Sequence, residues 1–169
     1  MKVLVKWVGI LIASIVLAIG LFLFSMRFSD GPIAIFSGGP FSSGEISAAP
    51  DSWEFLKDRG EIEFQTLDPS TSRTVWLGVN NGRLFIVSGY MNTNYGAIWK
   101  QWPHYLENDD RVIFRIDGKI YEQRLVRVMD GPNVLPILNE FGRKYGGGSI
   151  SSTESIANGD TWMFEVVDR

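Results

Sequence analysis

The chain has no cysteine and only one histidine, His104. Disulfides and thiol catalysis are excluded, and the usual nitrogen and sulfur zinc sites cannot assemble within it. There is no phosphate loop ending in Gly-Lys-Ser/Thr, and Gly146-Gly147-Gly148 follows a helical pattern where such a loop would precede one. No nucleophilic triad is visible. Asp109-Asp110 lack the spacing of a calcium loop and read as a solvated turn before a strand, so no metal site is expected. Acidic residues are missing from the start of the chain, all 19 lying after Arg27. Without Lys2, Lys6 and Arg27 the remainder holds 13 basic residues and a net charge of −6. That balance argues against nucleic acid as a partner and against electrostatic adhesion of the domain to an anionic bilayer.

The chain does contain one long apolar run, Trp7 to Phe24 (WVGILIASIVLAIGLFLF), preceded by Lys2 and Lys6. At about 1.5 Å of rise per residue, roughly 18 to 20 such residues span a hydrocarbon core of about 30 Å. A cleaved export signal is the competing reading. The run is longer than the roughly 7 to 15 residues of a signal core, and Ser25-Met26-Arg27-Phe28 offers no small-x-small cleavage site. A single transmembrane helix is the preferred expectation. Lys2, Lys6 and the terminal amine outweigh Arg27 on the other flank, which places the N-terminus in the cytoplasm and exports the rest, into the periplasm in a bacterium.

Residues 1–28 are thus expected to form a membrane anchor. Residues 29–50, rich in Gly, Ser, Pro and Ala, form a linker or extended arm, with Ile33, Ile35, Phe36 and Phe41 arguing that part of it lies on the domain. Residues 51–169 suit one compact domain.

That domain reads as mainly β, of the α+β kind. Glu61 to Leu67 alternates polar and apolar residues, as a half-buried strand does. Thr74 to Val79 and Arg83 to Ser88 are joined across Asn80-Asn81-Gly82, and Arg111 to Ile116 is joined to Lys119 to Met129 by Asp117-Gly118. Both are hairpin signals, because Asn, Asp and Gly tolerate the positive φ of tight primed turns. Trp162 to Val167 supplies a sixth strand. Gly96 to Asn108 has helical periodicity that Pro103 should break near Trp102, and a helix capped by Asn133 runs through Val134, Leu138 and Phe141 to Lys144. Asp51 to Arg59 is a further helical candidate. Six twisted strands with short hairpins and two or three short helices predict a small six-stranded closed or split β-barrel, preceded by the transmembrane helix.

The segment RTVWLGVNNGRLFIVSG, the Trp-bearing Gly96-Ala97-Ile98-Trp99 and RVIFRIDGKIYEQRLVRV together resemble the split β-barrel superfamily of flavin- and deazaflavin-dependent proteins, which includes pyridoxamine phosphate oxidases and deazaflavin-dependent nitroreductases. The resemblance covers Glu61 to Tyr145. It implies FMN or a deazaflavin in a groove between strands, often at a homodimer interface, and an oxidoreductase acting on a small molecule. By position along that pattern, Arg73, Ser88 and Lys100 would hold the cofactor phosphate, and Trp76 and Trp99 would wall its ring. No catalytic residue follows. The bland counterparts are packing for Trp76, Trp99 and Trp102, solvated charge for Arg73 and Lys100, and a helix-end position for His104. A different functional class also fits, a non-catalytic anchored domain of the same fold that binds a partner protein or an apolar ligand without a cofactor.

Overall fold

The computed structural model describes residues 2–146 and 152–169. Among them are seven strands, β1 (Glu45–Ile46), β2 (Glu61–Leu67), β3 (Ser70–Asn80), β4 (Arg83–Ser88), β5 (Arg111–Ile116), β6 (Lys119–Val128) and β7 (Trp162–Asp168). Five helices accompany them, α1 (Lys2–Ser25), α2 (Asn94–Trp99), α3 (Trp102–Tyr105), α4 (Val134–Tyr145) and α5 (Thr153–Ala157).

The strands run in the order β6-β5-β2-β3-β4-β7, and β7 pairs back onto β6, which closes a six-stranded antiparallel barrel. Closure removes the long unpaired edges of an open sheet. β1 is an addition that the sequence did not disclose. It lies parallel to the first residues of β6, beside Lys119 and Ile120, where β7 has not yet joined.

Both expected hairpins are present with two-residue turns. Asn81 and Gly82 have φ of 51° and 74°, and Asp117 and Gly118 have φ of 52° and 78°, the left-handed values that match the twist of the flanking strands. The β2–β3 connection is equally tight and contains a cis Asp68–Pro69 bond.

Strand alternation decides which side chains fill the barrel. Ile62 and Phe64 of β2, Val75, Leu77 and Val79 of β3, Leu84 and Ile86 of β4, Val112, Phe114 and Ile116 of β5, and Phe164 and Val166 of β7 form one buried cluster. Trp102 of α3 enters it, with its ring 5.0 Å from Phe64 and 5.5 Å from Phe164. The helical run is broken at Lys100 and Gln101, as Pro103 requires, because proline is accepted in the first turn of a new helix but not in the interior of an old one.

A second core lies outside the wall. Val134, Ile137, Leu138 and Phe141 of α4 and Ile156 of α5 pack on Phe85 and Met163. Gly78 permits this approach, since a Cβ there would stand 2.8 Å from the Phe141 ring. Asn133 sits at the N-cap position without a side-chain capping bond, because its own backbone is already helical, at φ −84° and ψ −17°. Gly146, with φ of 67°, follows the last helical residue, while Gly147 and Gly148 lie outside the described residues. The candidate helix at Asp51 to Arg59 is reduced to one turn, Glu54–Leu56, with Leu56 buried in the barrel cluster.

Among the described residues α1 is the one helix long and apolar enough to cross a membrane, and no residue of it is buried. The chain leaves it through a tight turn at Met26–Phe28, where Met26 is buried. The arm that follows is strapped to the barrel. Gly38 exchanges two backbone hydrogen bonds with Ser72 of β3, the Ser72 hydroxyl donates to Gly39 O at 2.6 Å, and the Phe41 amide donates to Gln65 Oε1 at 2.6 Å. Arg115 adds ion pairs to Asp30 at 2.7 Å and Glu63 at 2.6 Å, with its guanidinium over the Phe41 ring. Phe36 and Phe41 are half-buried, whereas Ile33 and Ile35 face outward.

Candidate functional site

The barrel is split on one side. The β3–β4 ladder covers only Leu77–Asn80 against Arg83–Ile86; beyond it β3 continues along β2, and β4 continues along β7. Arg73 and Ser88 lie on the parted stretches of these two strands. Ser72, beside Arg73, makes its outer backbone bonds to the arm at Gly38.

Alternation turns Arg73 to the same face of β3 as Val75 and Leu77, toward the interior. Its Nε is buried and has no hydrogen-bond partner. Burial pulls the guanidinium down to about 10, so it stays charged at neutral pH. Lys100, at the break between α2 and α3, is also pulled below the ordinary lysine value, first by burial and then by repulsion from Arg73. Both cations are thus partly withdrawn from water, and Arg73 is near enough to repel Lys100. The Ser88 hydroxyl, on the inward face of β4 with Leu84 and Ile86, is buried without a partner too.

The other arginines of the domain are treated differently, and the partly buried Lys144, also without an ion pair among the described residues, donates to the Arg59 and Leu77 carbonyls at 2.9 and 3.2 Å. Arg59, Arg83, Arg111, Arg115, Arg124, Arg143 and Arg169 each reach a carboxylate, and Arg127 covers the face of Trp162 at 3.7 Å. Among the described residues neither Arg73 nor Lys100 has an ion pair. Removing charge from water without compensation is costly, so an incoming anion would find a site that gains from being neutralised.

Two open clefts lie elsewhere. One of about 600 Å³ runs between the arm and β2, β3 and β5, and includes Asp30, Arg59, Glu63, Arg115 and Asp117. Its cations are already paired, Arg115 with Asp30 and Glu63, and Arg59 with Asp117, and Glu61 adds a further carboxylate. The other, about 530 Å³, is lined by Glu54, Lys57 and Glu140 near the β3–β4 turn, and Lys57 is paired with Glu54. Neither contains Arg73, Trp76, Ser88, Trp99 or Lys100.

The five residues proposed from the sequence therefore divide. Arg73 and Lys100 come together, and Ser88 faces the interior from the other side of the split. Trp99 stands exposed at the end of α2, next to Lys100. Trp76 is on the outer face of β3, with its ring stacked on Tyr145 of α4 at 4.5 Å, away from the inward Arg73. Trp102 is core. His104 is exposed at α3, edge-on to Trp162 at 4.9 Å.

Sequence reasoning missed Gln123, an inward residue of β6 whose buried Oε1 has no partner. Gln123 was detectable, since it alternates in step with the buried Tyr121 and Leu125.

No family model and no curated protein matches the sequence. Among the solved structures similar to the chain are the following three. A conserved hypothetical protein from Mycobacterium tuberculosis has a TM-score of 0.45 at 15% identity, covering 69% of this chain and 77% of its own. An F420 reductase has a TM-score of 0.42 at 15% identity, over 72% of this chain and 96% of its own. An FAD-binding protein from Mesorhizobium loti has a TM-score of 0.37 at 9% identity, over 69% of this chain and 86% of its own.

Proposed function

We propose that this chain is a membrane-tethered split barrel that holds a phosphate-bearing flavin or deazaflavin at the parting of β3 and β4, and serves as an oxidoreductase on a small molecule. The observation that carries this reading is the pair Arg73 and Lys100, two partly buried cations without a carboxylate among the described residues. Phosphate would neutralise both. The orphaned Arg73 Nε and Ser88 hydroxyl would gain the hydrogen bonds they lack, and the exposed Trp99, next to Lys100 in the chain, offers a flat face. FMN or a deazaflavin is the class that the strand-order resemblance implies; such a group supplies hydride or electron transfer when bound. The protein's part is to anchor and orient it, and Trp76 is the least favourably placed of the five residues because Tyr145 already covers its ring. α1 would span the bilayer with a cytoplasmic N-terminus and an exported barrel.

The experiment is a titration of the full chain in lipid nanodiscs with FMN and with a deazaflavin. Loss of one charge-assisted phosphate contact costs roughly 1.5–3 kcal/mol, so Arg73→Ala should weaken binding about 10- to 150-fold. Absence of binding to either compound would remove the cofactor reading. It would then favour a non-catalytic domain that docks a partner through the exposed Tyr95, Ile98 and Trp99 of α2, the observation that supports this second reading.

A further inference from the structure

We infer that the turn Ile33–Phe36 is a second membrane-contacting element, which inserts Ile33 and Ile35 beside the anchor helix and fixes the barrel against the lipid surface. The inference rests on the proposed role of α1 as a membrane span.

The geometry begins at the end of α1. Helix and domain are joined without slack, because Met26 is buried and Ser29 Oγ bridges Met26 O at 2.8 Å and Gly31 O at 2.7 Å. Gly38 and Gly39 press so closely on this exit that a Cβ on Gly39 would stand 2.4 Å from Arg27 O. The same two glycines are tied to Ser72 of β3, so the helix end is held to the barrel wall.

From there the arm folds back along the helix. The Phe36 ring meets the Phe22 ring edge-on at 5.3 Å. Phe22 is three residues before the end of α1, which at about 1.5 Å per residue lies roughly 4–5 Å inside the helical span. The turn is therefore level with the apolar part of α1. If α1 crosses a bilayer, the turn cannot be in bulk water.

Its composition suits lipid. Ile33 is 53% exposed and Ile35 is 77% exposed. The backbone at its base is satisfied internally, since Ile33 and Phe36 exchange hydrogen bonds at 3.2 and 3.0 Å. That matters because an unpaired amide is expensive in hydrocarbon. Arg27 is exposed between the two apolar segments and has no ion pair among the described residues, as expected for a side chain at the headgroup level. The net-negative barrel supplies no electrostatic attraction of its own, so beyond the tether of α1 these side chains are what set its position against the surface.

The absence of cysteine makes the test direct. Single variants Ile12→Cys, Ile35→Cys and Asn81→Cys of the full chain are labelled with an environment-sensitive fluorophore and reconstituted in vesicles of phosphatidylcholine and phosphatidylglycerol with or without spin-labelled lipid. We expect the labels at Ile12 and Ile35 to lose most of their fluorescence to the spin-labelled lipid and to be blue-shifted, with Asn81, on the β3–β4 turn, unaffected. Quenching at Ile12 without quenching at Ile35 would overturn the inference while leaving the anchor intact. No quenching at Ile12 would remove the span itself and the inference with it. Equal quenching at all three sites would also overturn it, because contact would not be confined to the turn.

Discussion

Replacing Trp102 with alanine probes how firmly the segment carrying Lys100 is seated in the barrel. The indole is 3% exposed and lies between Phe64 and Phe164, with centroids 5.0 and 5.5 Å away. Truncating a buried tryptophan costs about 3–5 kcal/mol through lost burial and the cavity left behind, and the aromatic contacts are part of that figure. With an unfolding entropy of about 2.1 cal/mol/K per residue over roughly 120 residues, the melting temperature should fall by about 12–20 °C. Near-ultraviolet circular dichroism of the full chain in nanodiscs reports this directly, and Trp102→Phe should recover about half of the loss. The effect should extend to ligand binding. Since α3 begins two residues after Lys100, loosening the plug should weaken phosphate affinity even where the folded population is still complete. A fall of under about 4 °C, equivalent to roughly 1 kcal/mol, would mean that Trp102 does not occupy the barrel interior.

Two further predictions concern the outer wall and the arm. The Tyr145 hydroxyl accepts from the Leu77 amide at 3.0 Å and donates to Gly60 O at 2.5 Å, so Tyr145→Phe should cost about 1–3 kcal/mol by urea unfolding. Burial pushes this phenol from 10.0 up to about 12 in the folded chain. A raised folded value means that its stabilisation is complete below pH 10.0 and is lost as pH rises toward about 12, and Tyr145→Phe should remove this alkaline slope. Asp30 is held well below its ordinary 3.8 by the Ser43 hydroxyl and the Ser42 amide, and then by Arg115. Its contribution is therefore present above that value and lost as pH falls below it. Hydrogen exchange at the Ser42 amide, corrected for the intrinsic rate, should be protected at neutral pH and unprotected in Asp30→Ala, whereas equal protection in the two would show that the strap does not depend on this carboxylate.

Much of the barrel was legible because its signals are local. Asn81-Gly82 and Asp117-Gly118 declare their turns within two residues, and Pro103 marks the α2–α3 break in the same way. The features that escaped depend on distant partners. β1 is a strand only because the start of β6 is left free by β7, and the parting of β3 from β4 reflects where two ladders end, which no single segment encodes. The candidate site was half-legible. Period-two alternation with Val75 and Leu77 turns Arg73 inward, and alternation with Leu84 and Ile86 does the same for Ser88. By the same parity Trp76 lies on the opposite face from Arg73, so the five residues could have been separated by counting along the strand. The proximity of Lys100 to Arg73 could not, because it depends on how Trp102 draws α3 into the barrel.

The proposal that Arg73 and Lys100 hold a phosphate is tested by comparing FMN with riboflavin, which differs only in lacking one. In the full chain in nanodiscs, FMN should bind at least about 10-fold more tightly than riboflavin, the equivalent of roughly 1.4 kcal/mol, and Arg73→Gln should erase the difference. Equal affinity for the two flavins in the unaltered chain, or a preference for FMN that survives Arg73→Gln, would contradict it.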